Sequence, residues 1–130
     1  MNKFSKFCLE LSAFSNIKPS IFLSPATGYR ARCEFGFSNN SYTMIKDGRK
    51  IHMDLSEIPH HSIQKIMPKL LKYINKSSIL KSKLFQINFR SSGSDVLATM
   101  IYHKELNDEW SIEAKVIQAK FKNLSIIGRS

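Results

Sequence analysis

Residues 29–37, YRARCEFGF, alternate as a half-buried strand should. Tyr29, Ala31, Cys33, Phe35 and Phe37 fall on one face; Arg30, Arg32, Glu34 and Gly36 fall on the other. Residues 38–41, SNNS, are turn formers, and 42–46 read as a second strand. Asp47-Gly48 is a hairpin signal, with a third strand over 50–54. Over 60–76 the period lengthens to that of a helix. Ile63, Ile66, Met67, Leu70, Leu71 and Ile74 gather on one side, and Lys65, Lys69, Lys72 and Lys76 on the other. Pro68 falls inside this pattern and should kink the helix or mark the first turn of a shorter one.

Residues 84–90 and 96–103 return to strand patterning and are joined by SSGSD, a hairpin loop. Asn107 then caps a helix whose first turn carries Asp108 and Glu109. Trp110, Ala114, Ile117 and Phe121 line its apolar face, and Lys120 and Lys122 suit its negative end. Residues 124–127 form a closing strand, with Gly128 turning the chain away. Before all of these, 4–14 read as a short helix and 15–27, with Pro19 and Pro25, as an irregular lead-in. The pattern predicts an α+β fold: a largely antiparallel sheet with two main helices, β-β-β-α-β-β-α-β after the short N-terminal helix.

A chain of 130 residues with 42% hydrophobic content suits one folded domain over residues 1–130. No apolar run approaches the roughly 18 residues a membrane span needs. The N-terminal stretch MNKFSKFCLELSAF is interrupted by Glu10 and lacks a small-residue cleavage site, so it does not read as a signal peptide. Cys8 and Cys33 are the only cysteines, and free thiols in a cytoplasmic protein are expected.

Charge narrows the partners. The formal net charge is +10, which favours an anionic partner, nucleic acid or an anionic membrane surface. Between Glu57 and Asp95 there are seven lysines and arginines and no acid. Four of them, Lys65, Lys69, Lys72 and Lys76, form the polar face of the first main helix, which can track a phosphate backbone or stand as a plain solvated face. A membrane is disfavoured because the apolar side of that helix is needed to cover the sheet.

Catalytic chemistry finds little support. The five glycines, Gly28, Gly36, Gly48, Gly93 and Gly128, are too scattered for a nucleotide-binding loop, so no cofactor is expected to be bound by this chain. His52, His60, His61 and His103 make no metal-ligand pattern with the cysteines, and no metal site is predicted. Cys33 shares its face with Phe35 and reads as a core thiol; neither cysteine has a partner that would lower its pKa. Glu105, Asp108, Glu109 and Glu113 are explained by helix capping and exposure.

Three stretches resemble one family. SPATGYRARCEF at 24–35, KLFQINF at 83–89 and MIYHKELNDEW at 100–110 are similar to the N-terminal part of bacterial tRNA (uracil-5-)-methyltransferases, and the closing LSIIGRS resembles the stretch that follows the second helix there. The resemblance runs from about residue 11 to 130. It implies a family that methylates carbon 5 of a T-loop uridine in tRNA, and in tmRNA, using S-adenosylmethionine. It also implies that the cofactor loop, a cysteine nucleophile and a glutamate base belong to a catalytic domain absent from these residues, or to a separate chain.

On this resemblance the chain supplies T-arm binding. Phe85 and His103 match RNA-contacting positions, and Arg30 and Arg32 match a YRxRxEF pattern. Gly36 stands where the family often places an arginine, which weakens one phosphate contact or hands it to Lys46 or Arg49. Alternation argues against Phe85, because it shares a face with Ile87 and Phe89 and should lie in the core. His103 ends its strand, where a polar side chain reaches a ligand or simply meets water, and the two arginines also read as solvated or structurally paired. The expected function is a truncated methyltransferase that seats RNA. The alternative is a stand-alone basic RNA-binding module, or a remnant without activity.

Overall fold

The computed structural model describes residues 30–130. The helix expected over 4–14, the lead-in and Tyr29 lie outside the described residues. Six strands form one sheet: β1 (Arg32–Ser38), β2 (Ser41–Lys46), β3 (Arg49–Met53), β4 (Leu84–Ser91), β5 (Val96–Tyr102) and β6 (Leu124–Arg129). Among the described residues three helices interrupt them: α1 (His61–Lys76), α2 (Ser78–Lys81) and α3 (Asp108–Gln118). The strand order is β3-β2-β1-β4-β5-β6. Every pairing is antiparallel except β5 with β6, which run parallel because α3 carries the chain back between them. The α+β architecture is the one the patterning predicts.

The local signals act as read. Asn39 and Asn40 both take positive φ between β1 and β2, and Asp47 and Gly48 do so between β2 and β3. Such paired left-handed residues match the twist of a two-residue hairpin. The Asn107 side chain caps α3 by accepting from the Trp110 amide at 3.0 Å.

Among the described residues, one face of the sheet is packed and the other is open. Cys33, Phe35, Ile87, Phe89, Ala98, Met100, Leu124 and Ile126 alternate inward and are buried. Each helix is tied to this face. The buried Tyr42 hydroxyl donates to Met67 O in α1 at 2.8 Å, and Tyr102 donates to Leu80 O in α2 at 2.6 Å. Trp110 of α3 lies over Gly128 of β6.

Three expectations are corrected, and one element was not foreseen. Pro68 does not mark the first turn of a shorter helix, because α1 runs from His61 to Lys76 with Pro68 at its eighth position. Pro68 removes one helical donor, but Leu70, Leu71 and Ile74 beyond it are buried, and Tyr42 holds the adjacent Met67 carbonyl. Gly128 does not turn the chain away; it is inside β6, paired with Met100. A side chain there would collide with Leu106 and with the Trp110 ring, so the glycine answers a packing need. Ala31 is exposed rather than inward, because β1 begins after it. The short helix α2 had no periodic signal; the Ser77 hydroxyl starts it by accepting from Leu80 N at 3.2 Å.

Candidate nucleic-acid interface

The open face is built from alternate residues of the central strands. β1 contributes Arg32 and Glu34, β4 contributes Gln86, Asn88 and Arg90, and β5 contributes Leu97, Thr99 and Ile101. No described helix lies over it.

Phe85 is where alternation fails. The β4–β5 register slips between Leu84 and Gln86, so a bulge absorbs one residue. Leu84 and Ile87, three positions apart, both reach the core, and Phe85 is released from it to half-buried. Lys83 enters the strand with φ of 60° and its carbonyl accepts from the His103 amide at 3.0 Å. That bond brings the start of β4 beside the end of β5. The Phe85 and His103 rings consequently stack, with centroids 3.8 Å apart and planes 12° from parallel. The gap between the rings is already filled, which leaves the outer faces of the pair for any further flat ring. The core placement expected for Phe85 from alternation is overturned by this bulge.

From the stack a polar strip runs up β4. Gln86 donates to Asn88 Oδ1 at 2.8 Å, which orients both amides on the open face. Arg90 follows, directly opposite Arg32 on β1. Like charges in register across a sheet repel, so this pair is a cost to the fold that an anion would relieve. Arg30 and Arg129 complete a shallow basin of about 540 Å³ with Arg32 and Arg90, in which Glu34 is the only acid among the described lining residues. Burial pushes the Cys33 thiol up from its ordinary value of 9.0, against a smaller opposing pull from Arg30.

The predicted site residues fall into two groups. Phe85, His103, Arg30 and Arg32 share the open side of the sheet. Lys65, Lys69, Lys72 and Lys76 are exposed on α1, which packs against the opposite face. The sheet therefore separates them. Gly36, whose added side chain would collide with Thr43 Oγ1, lies between Glu34 and the β2 strand on the open face. Lys46 and Arg49 flank the β2–β3 turn. Sequence reasoning missed Arg90, Arg129 and the Gln86–Asn88 pair as site residues. Their only signal was alternation, and that does not say which strands are neighbours.

Among the described residues no group of acids, histidines and cysteines could hold a metal, and no helix is long and apolar enough to cross a membrane.

A sequence model of the family described as tRNA (Uracil-5-)-methyltransferase matches residues 1–130. The chain is similar to the tRNA/tmRNA (uracil-C(5))-methyltransferase of a Nitratiruptor species, 36% identical over 124 residues that cover 93% of this chain and 34% of that protein. The protein of the same name from Acinetobacter baumannii (strain ACICU) is 33% identical over 139 aligned positions, 98% of this chain and 38% of that one. Its counterpart in Escherichia coli is 30% identical over 131, with 92% and 36% covered. The chain thus spans about a third of the length of the curated relatives it matches.

Proposed function

Because the chain belongs to the tRNA (uracil-5-)-methyltransferase family, we propose that it seats the T arm of tRNA, or the matching arm of tmRNA, for methylation of a uridine at carbon 5. The observation that carries this reading is the Phe85–His103 stack at the head of a polar and basic strip. Single-stranded loop bases are recognised by stacking on aromatic rings and by hydrogen bonds to their edges. Phe85 and His103 offer the ring surface, Gln86 and Asn88 the edge contacts, and Arg32, Arg90 and Arg129 the phosphate contacts.

The residues described do not fit S-adenosylmethionine, the methyl donor expected for the family. Gly36 and Gly128 each lie under a neighbouring side chain, and Gly48 and Gly93 turn hairpins at positive φ. None opens a helix toward a bound nucleotide. On this reading, methyl transfer belongs to protein outside residues 30–130, and these residues hold RNA.

The test is binding of the purified chain to a T-arm hairpin, followed by fluorescence anisotropy. Stacking of a base on an aromatic side chain is worth about 1–3 kcal/mol, so Phe85→Ala should weaken binding roughly 5- to 150-fold. Equal affinity for a hairpin with a scrambled loop, or an unchanged affinity for Phe85→Ala, would reduce the interaction to general polycation binding.

A further inference from the structure

The helix-covered side of the molecule carries its own basic groove. It has a volume of about 580 Å³ and lies between the first turns of α1, the β4–β5 loop at Gly93 and Ser94, and the segment that follows α3. Lys65 and Lys69 enter it from α1, and Lys120 and Lys122 from that last segment, with His60 and His61 at one end. None of the described lining residues is acidic.

Two of these ammonium groups, those of Lys69 and Lys120, are held against aromatic rings. Lys69 Nζ lies 5.6 Å from the centre of the Phe121 ring, and Lys120 Nζ lies 5.4 Å from that of Tyr73. Tyr73 and Phe121 meet edge to face at 5.8 Å. The two rings thus brace one lysine from each wall. The far wall is fixed as well. His60 Nδ1 is 2.9 Å from the Ser62 hydroxyl, which is 2.6 Å from that of Ser91 at the end of β4. Four ammonium groups around one concavity repel each other, a cost that a bound anion would offset.

We infer that this groove is a second RNA-backbone site, occupied by a stretch of the same RNA outside the segment held on the open face. The inference rests on the RNA-seating reading above. Its chemistry favours phosphate. Lysine is a compact point charge suited to phosphate oxygens, and the half-buried Phe121 gives a sugar or base one apolar contact. A lipid surface fits poorly, because Ile63, Ile66, Met67, Leu70, Leu71 and Ile74 of α1 are all consumed by the core. Position sets the occupant. From Phe85 to Ser91, the end of β4, the strand runs about 20 Å, and the groove is also across the sheet from the stack. The phosphates next to a base stacked on Phe85 do not reach it.

The experiment compares a T-arm hairpin with a whole tRNA transcript, using the full chain and the variants Lys69→Gln, Lys120→Gln and their combination. Lys115→Gln, on the exposed side of α3, is the charge control. The double variant should bind whole tRNA about tenfold more weakly, and each lysine removed should lower the salt slope by about one. Its affinity for the hairpin should stay within twofold of the parent, as should the control with either RNA. Unchanged tRNA binding by the double variant overturns the groove. An equal loss with hairpin and tRNA overturns the assignment to a separate segment. Lysine-dependent capture of phosphatidylserine vesicles without tRNA binding overturns the choice of RNA. If Phe85→Ala is silent while the lysine variants lose tRNA, the groove stands and the open-face reading fails.

Discussion

Replacing Gly128 with alanine tests the packing around the last strand. A Cβ built on Gly128 would lie 2.5 Å from Trp110 Cη2 and 2.8 Å from Cζ2, and would also collide with Leu106 Cδ1. Contacts this short force a neighbour to move. Leu106 is half-buried in a loop and can swing aside. The Trp110 ring cannot do so cheaply, because it is buried and meets Tyr102 edge to face at 5.8 Å. Tyr102 is in turn anchored to Leu80 O. Overpacking of this kind costs about 1–3 kcal/mol. Relief of glycine's unfolded-state entropy returns roughly 0.4–1 kcal/mol, leaving a net loss near 1–2 kcal/mol. Trp110 is the only tryptophan, so its fluorescence reports from the site itself. In urea titration the midpoint should fall with the slope unchanged. Ser125→Ala, exposed in the same strand, should stay within about 0.5 kcal/mol of the parent. A Gly128→Ala midpoint at or above the parent's would refute the reasoning.

Two further outcomes follow from single hydrogen bonds. Asn107→Ala removes the acceptor for the Trp110 amide and should cost about 1 kcal/mol, while Asn107→Asp should recover most of it; equal midpoints for alanine and parent would refute the cap. Tyr42→Phe removes the hydroxyl held by Met67 O and should cost about 0.5–1.5 kcal/mol in the same titration. Burial, the leading cause, pushes the phenols of Tyr42 and Tyr102 well above their ordinary value of 10.0. The folded state then holds these protons more tightly than the unfolded one. Their contribution is complete below pH 10.0 and is lost as pH rises beyond it, by up to about 1.4 kcal/mol per unit for each group. Tyr42→Phe should flatten that decline, and identical alkaline profiles for parent and variant would refute the assignment.

Features decided within one turn of chain were legible in the sequence. Asp47-Gly48 reverses the chain because its own backbone preferences suit the turn, and Asn107 starts α3 because its acceptor reaches an amide three residues on. The lysine face of α1 followed from helical periodicity alone. Tertiary structure decided what those residues face. Phe85 leaves the core because a bulge lets both Leu84 and Ile87 enter it, and only pairing with β5 creates that bulge. Gly128 stays in a strand because Trp110, distant in sequence, occupies the space beside it. The basic residues divide between two sides because β1 pairs with β4, which sets Arg32 against Arg90, while α1 packs on the other face. Side chains alternate with a period of two, so each charge lands on a face only once the register is fixed. Register is a property of paired strands, and no single stretch of the chain contains it.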